Sequence, residues 1–311
     1  AYYFIYNLDY FNKDIISNWY NIYVDDILSP KEIKKIAINI VFLISLLITG
    51  LSGWFQIISN ENKGNLKVSF LDVGQGDSIF IEAPNKMQII IDTGPNAKVL
   101  QSLNDQISFF DESIDAVVLT HPDLDHIGGT IDLFNSYDVP LIMFATSTKE
   151  TDATIEISNL DVERREVKDG DIIMLDSEKN IYLEILSPDN EKISVDSNDQ
   201  SIVAKLIYGE TCFILTGDAS KEVEMKIVKK YGDKIKCDVL KVGHHGSHTS
   251  SEEKFVGFVS PKFAIISAGK DNKYGHPHKE TIDTLLKFNE EILNTADFEN
   301  ITFFSDGSNV Y

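Results

Sequence analysis

Beyond residue 65 the chain alternates short apolar runs with polar turns. Leu66-Lys67-Val68-Ser69-Phe70 places an apolar side chain at every second position, the period of a half-buried strand. Ser78-Ile79-Phe80-Ile81, Gln88-Ile89-Ile90-Ile91 and Ala116-Val117-Val118-Leu119 read as further strands, the last of them buried on both faces. Ile202 to Tyr208 and Cys212 to Leu215 predict a hairpin around Gly209-Glu210, and Phe263 to Ile266 and Ile301 to Phe304 close the series. Helical stretches are predicted at Lys98–Ile107, from Thr130, at Lys221–Tyr231 and at Glu280–Phe288. Strands dominate and helices punctuate them, which predicts an α/β fold of two packed sheets with outer helices.

The pattern before residue 65 is of another kind. Ile36 to Ile58 carries no charge and only scattered polar residues. At about 1.5 Å per residue, such a run is long enough for a hydrocarbon core of about 30 Å. Trp54 near one end and Lys31, Lys34 and Lys35 at the other fit the anchors of a transmembrane helix over 36–58. The lysines put the N-terminal side in the cytoplasm and everything after Ser59 outside, so the expected location is the cell membrane with an extracellular domain. Residues 1–35 begin with Ala1 and read as part of a longer membrane domain, with an interfacial helix around Ile15–Tyr20. Ser59 to Asn65 is a polar linker, and 66–311 is the folded domain.

Composition narrows the partners. A net charge of −21 opposes general attraction to nucleic acid or anionic lipid. An anionic substrate must then be drawn by local cations, of which bound metal ions are the obvious source. Lys221, Lys226, Lys229, Lys230, Lys234 and Lys236 form one basic stretch, read as a solvated helix face or, less often, a guide for a DNA backbone. Cys212 and Cys237 lie in or beside apolar runs and read as buried free thiols, with a single disulfide as the alternative.

The seven histidines fall into three short clusters. The first is His121-Pro122-Asp123-Leu124-Asp125-His126, which leaves the strand Ala116–Leu119 with two imidazoles and two carboxylates. A cation needs such a knot of N and O donors to replace its water ligands. Thr216-Gly217-Asp218 ends another strand, and Gly243-His244-His245-Gly246-Ser247-His248-Thr249-Ser250-Ser251 follows a third. Three strand ends carrying His or Asp imply one shared site at one edge of the sheets.

Asp92-Thr93-Gly94, His121-x-Asp123-x-Asp125-His126, Gly217-Asp218 and His244-His245-Gly246-Ser247 together resemble the metallo-β-lactamase superfamily. Asp72-Val73-Gly74-Gln75-Gly76-Asp77 and Tyr274-Gly275-His276-Pro277-His278 narrow the resemblance to the extracellular part of ComEC-type competence proteins, over roughly residues 66–311. The resemblance implies a metallo-β-lactamase-like αββα sandwich preceded by one transmembrane helix. It also implies a nuclease using two divalent ions, Mn²⁺ or Zn²⁺ with Mg²⁺ as a further choice. His121 and Asp123 would hold one ion, Asp125, His126 and His244 the other, and Asp218 would bridge. His245 and Asp125 are the candidate catalytic residues, His245 orienting the phosphate or protonating the leaving oxygen. Ser247, Thr249, Ser251 and His276 are candidates for substrate binding. The implied partners are DNA, single-stranded or duplex, the membrane, and other competence-machinery proteins.

The chain departs from the superfamily at two places. Asp123 stands where His is usual, and no His lies between His126 and His244 to supply a middle ligand. Asn198 or Asp199 is the candidate replacement. More oxygen and less nitrogen shifts preference from Zn²⁺ towards Mn²⁺ or Mg²⁺. Two competing functions remain: a small-molecule phosphoesterase of the same fold, or a non-catalytic module with a degraded site.

Overall fold

A computed structural model describes residues 30–60, 64–108, 110–147, 149–189, 194, 196–288 and 290–311. They fall into two units that divide between Lys63 and Gly64. In the first, helix α1 (Pro30–Asn60) runs 31 residues and contains Lys34–Gly53, a stretch long and apolar enough to cross a membrane. Its side chains from Ile36 to Leu51 are exposed, Ile38 and Val41 among them. The expected interfacial helix at Ile15–Tyr20 and the side chain of Trp54 lie outside the described residues.

The second unit is built from two sheets of seven strands. Strands β1 (Leu66–Phe70), β2 (Ile79–Glu82), β3 (Gln88–Ile91), β4 (Ala116–Leu119), β5 (Leu141–Phe144) and β6 (Glu163–Glu166) lie side by side in chain order. Strands β7 (Ile172–Asp176), β8 (Ile181–Ser187), β9 (Val203–Tyr208), β10 (Thr211–Leu215), β11 (Val239–Lys241), β12 (Phe263–Ile266) and β13 (Glu291–Asn294) make the second sheet, also in chain order. Strand β14 (Ile301–Ser305) returns to pair antiparallel with β1, Leu66 opposite Ser305.

The period-two pattern now has its physical meaning. Leu66, Val68, Phe70, Ile79, Ile81, Ile89, Ile91 and Val118 pack between the sheets against Leu183, Ile185, Leu206, Phe213, Leu215, Val239 and Ile265. The alternate residues Phe80, Ile90, Val117 and Ile142 face outward onto α2 (Lys98–Asn104), α4 (Thr130–Ser136) and α5 (Asp152–Ser158), through Val99, Leu103, Leu133 and Ile157. A one-turn helix α3 (Leu124–Ile127) follows β4. On the other side Ile214, Leu240, Ala264 and Ile266 meet α6 (Lys221–Tyr231), α7 (Glu253–Val259) and α8 (Lys279–Leu286). A short helix α9 (Thr295–Phe298) leads into β14. The layers are therefore αββα. Strands β10 and β11 pair in parallel, and β4 of the other sheet ends beside them, since His121 and His126 after β4 meet Asp218 after β10.

Cys212 and Cys237 are joined as a disulfide, with Cα atoms 5.0 Å apart. The free-thiol expectation is corrected here. The parallel register of β10 and β11, Phe213 opposite Val239, brings the two cysteines together at the start of neighbouring strands.

Candidate metal centre

Asp218 is the hub of the site. It follows β10 and is 3% exposed, and its carboxylate faces four imidazoles. Its Oδ1 lies 3.2 Å from His126 Nε2. Its Oδ2 lies 3.5 Å from His245 Nε2, 3.7 Å from His244 Nε2 and 3.9 Å from His121 Nε2. Asp125 Oδ2 joins from α3, 3.4 Å from His245 Nε2. The Nε2 atoms of His121, His126 and His245 and Oδ1 of Asp218 are buried and make no hydrogen bond within the chain. Lone pairs converging in this way fit a bound cation, which is the usual resolution for buried, unpaired donors of this type. Ligand atoms of Asp77, His126, Asp218 and His245 all lie within 4.8 Å of one another.

The far side of each inner imidazole is also held. His126 Nδ1 is 2.7 Å from Asp92 Oδ2, and Asp92 accepts from both the backbone N–H and the hydroxyl of Thr120. His245 Nδ1 is 2.9 Å from the carbonyl of Ser267 and 3.2 Å from Asp77 Oδ1. A carboxylate or carbonyl behind a ligating imidazole fixes its tautomer and raises its basicity.

Charge distribution follows from this packing. Burial alone would push His126 down, but Asp218 and Asp92 hold it well above the ordinary imidazole value. Burial is likewise outweighed at His245, which Asp218 and Asp77 raise to about 9. His121 goes the other way: burial, with His126 beside it, lowers it to about 3. Burial would raise Asp218, yet His245, His126 and His121 keep it well below the carboxylate range.

The remaining residues named from sequence occupy a rim or lie apart. His244 and His245 both have left-handed backbone, φ 49° and 53°, a strained choice for non-glycine residues that recurs at functional sites. This turn sends His245 into the cluster and leaves the His244 side chain 25% exposed, its Nδ1 2.9 Å from Thr249 Oγ1. Thr249 is exposed, and Ser247 Oγ accepts from its hydroxyl. His276 stands 5.6 Å from His244 and 6.1 Å from His245, ring centre to ring centre. Ser251 is buried on the far side of its loop, where its backbone N–H donates to Glu224. Asp123 Oδ1 is taken up by Lys149 Nζ and Ser197 Oγ, each at 2.7 Å. Asp199 accepts from the hydroxyls of Ser194 and Ser220, and Asn198 sits in a 3₁₀ turn; neither joins the cluster. In the basic stretch, Lys226 pairs with Glu222 and Lys230 with Asp169.

Sequence reasoning did not assign Asp77 or Lys241 to the site. The signal for Asp77 was its place after Gly74-Gln75-Gly76; for Lys241 it was a charge inside an apolar strand next to Gly243-His244-His245. Gly76 has φ +143°, and a Cβ there would meet the Asp125 carbonyl at 2.2 Å, so only glycine lets this turn press against the metal loop.

Residues 71–270 match the family model of the metallo-beta-lactamase superfamily. The chain is 34% identical to ComE operon protein 3 of Bacillus subtilis (strain 168) over 262 residues, 78% of this chain and 33% of that protein. It is 30% identical to competence protein ComA of Neisseria gonorrhoeae over 255 residues, 80% of this chain and 33% of that one. The chain thus spans about a third of the length of the curated relatives it matches. Among solved structures, Igni18, a metallo hydrolase from the archaeon Ignicoccus hospitalis KIN4/I, superposes with a TM-score of 0.51 at 15% identity, covering 77% of this chain and 98% of that one.

Proposed function

Because the chain belongs to the metallo-beta-lactamase superfamily, we propose that residues 64–311 form a metal-dependent phosphodiesterase that cuts DNA at the membrane during uptake. The carrying observation is Asp218, ringed by four imidazoles, three of which (His121, His126 and His245) present a buried Nε2 without a hydrogen bond. Similarity to competence proteins supports DNA as the substrate. The apolar stretch Lys34–Gly53 supports a membrane tether, and the Cys212–Cys237 disulfide supports an oxidising, extracytoplasmic location.

In this reading Asp125, His126, Asp218 and His245 would hold one divalent ion, and His121 would help to hold a second. Bound ions of this kind supply Lewis acidity and a nucleophile near neutral pH. The roles of the adjacent histidines exchange relative to the reading from sequence: buried His245 is a ligand, and His244 at the rim is a substrate contact. Thr249 keeps the His244 ring in place through Nδ1. His276 faces the same opening; burial, with His245 and His244 beside it, lowers it to about 4, so it meets substrate as a neutral imidazole. Asp123 and Lys149 form the opposite lip, where a cationic side chain meets a phosphate next to the one being cut.

The test is cleavage of labelled single- and double-stranded DNA by the chain in detergent with Mn²⁺, Zn²⁺ or Mg²⁺ supplied in turn. Cleavage that requires metal and falls steeply with salt is expected. A second reading, hydrolysis of a small phosphoester, draws on the net charge of −21 and on a cavity of about 270 Å³ beside Pro122, walled by Leu119, Ile127, Ile142 and Phe144. Metal-dependent hydrolysis of small esters with weak salt dependence and intact DNA would establish that reading instead.

A further inference from the structure

Lys241 is the one lysine of β11, and it points between the sheets, as Val239 two residues earlier does. It is fully buried. Its Nζ lies 2.7 Å from Asp77 Oδ2 and 2.9 Å from the carbonyl of Val242. Asp77 is 1% exposed and presents its other oxygen to His245 Nδ1 at 3.2 Å. A chain of contacts therefore runs from Lys241 through Asp77 to His245, whose Nε2 faces Asp218 and Asp125.

Stability alone is a poor reason for this pair. Desolvating an ammonium and a carboxylate costs several kcal/mol per ion, and a well-packed apolar pair in the same space is often as stable or more so. The surroundings also pin Asp77 in place. Its backbone N–H donates to the Asp125 carbonyl, its own carbonyl accepts from Gly94, and Gly76 permits the close approach. The loops carrying Asp77, Asp92 and Asp125 are thus tied together by backbone bonds, with Asp77 behind His245 as Asp92 is behind His126.

We propose that Asp77 and Lys241 are a positioning couple for His245: Lys241 neutralises and orients Asp77, and Asp77, with the Ser267 carbonyl, keeps the proton on His245 Nδ1 so that Nε2 offers its lone pair to a divalent cation. The couple accounts for the Gly74-Gln75-Gly76-Asp77 turn, which the reaction itself does not use. This inference rests on the reading of the cluster as a metal centre.

The test combines Zn²⁺ affinity, by chelator competition, with long-range ¹H–¹⁵N spectra of the zinc-loaded chain labelled at histidine. Wild type is expected to show His245 protonated at Nδ1. The double variant Asp77→Asn/Lys241→Met removes both charges together. It is expected to melt close to wild type without metal, yet to bind Zn²⁺ about 10–100-fold more weakly, the usual loss for a partner behind a ligand, with the Nδ1–H signal of His245 weakened. Wild-type affinity and an unchanged tautomer in that variant would overturn the couple. Tighter Zn²⁺ binding by Lys241→Met alone would overturn it too, because Asp77 would then be a ligand that the ammonium competes for. If the double variant does not fold, the wild-type spectrum decides, and a proton on Nε2 overturns the proposal. Failure of wild type to bind Zn²⁺, Mn²⁺ or Mg²⁺ would instead remove the metal-centre reading beneath it, and that outcome is read before any variant is made.

Discussion

The inner and outer histidines of the site are neighbours, yet they occupy opposite electrostatic regimes. His126 and His245 are buried with a carboxylate on each side and are raised, His245 to about 9. His244 and His276 look towards solvent with other imidazoles beside them, and burial without enough negative charge lowers both, His276 to about 4. Residue type is therefore a weak guide to role here. An acidic group behind the ring marks His126 and His245, whereas His121, buried in the same cluster, has the Thr120 hydroxyl behind it at 3.0 Å and is lowered to about 3. In the metal-free protein, protons on the inner pair offset Asp218 and Asp92, Asp77 being paired with Lys241; a divalent ion would take over that balance.

The strongest way to break this division is to remove its centre. Asp218→Ala takes away the carboxylate that all four imidazoles share. Metal content measured by atomic absorption should drop, and hydrolysis should fall by at least about 10³-fold, more than the 10–100-fold typical of groups behind a ligand. Retained metal with retained turnover would place the centre elsewhere. The next test compares the two adjacent histidines directly. His245→Ala should lose Zn²⁺ affinity, whereas His244→Ala should keep its metal and lose about 10²-fold in rate, the order of one lost contact to the transition state. Equal metal loss in both variants would erase the distinction between inner and outer rings.

A smaller effect comes from the protons themselves. Because His245 is raised to about 9 and His126 is held above the ordinary value, a cation must displace protons at neutral pH. Metal affinity should rise with pH, by up to about tenfold per unit for each proton released, with the share due to His245 levelling off above about pH 9. Calorimetry in buffers of different ionisation enthalpy counts those protons. Binding without proton release would mean that the inner rings are neutral and that the carboxylates do not govern them.

Much of this arrangement could be read from sequence because it is local. His121 to His126, Gly217-Asp218 and Gly243 to Ser251 each follow an apolar strand within a few residues, so period-two patterns located the sheets and the strand ends located the site. What escaped was whatever depends on distant pairing or on one dihedral angle. Lys241 and Asp77 meet only because β2 and β11 face each other across the core. The choice between His244 and His245 turns on two left-handed residues in succession, which no spacing rule encodes. Asp199 matched a missing ligand by position, yet the hydroxyls of nearby Ser194 and of Ser220, 21 residues on, claim its oxygens first. Cys212 and Cys237 become neighbours through the parallel register of β10 and β11 alone.

The smallest effect sharpens the comparison from outside the histidines. Glu224, on α6, is as buried as Asp218, at 1% exposure, but it faces no imidazole. It accepts from the backbone N–H groups of Ser251 and Glu252, anchoring the loop that carries the rim. Burial dominates there, and the carboxyl is raised to about 8 even though those two N–H groups pull the other way. The signs of the pH effects are then opposite. Asp218 is lowered, so its contribution to stability is present above the unfolded value and lost in acid. Glu224 is raised, so the folded chain binds the proton more tightly; its contribution is complete below the unfolded value near 4.5 and is lost as pH rises through about 8. In denaturant unfolding of the metal-free chain, Glu224 should therefore add a decline in stability between about pH 5 and pH 8, by no more than about 1.4 kcal/mol per unit for its one proton, in the same direction as the raised His126 and His245. Glu224→Gln should lose stability less steeply than wild type over that range, keeping the part owed to His126 and His245 and leaving the acid limb set by Asp218 and Asp77 in place. An unchanged slope in the variant would mean that burial without an imidazole partner does not raise a carboxyl here, and the contrast between the two kinds of buried acid would fail.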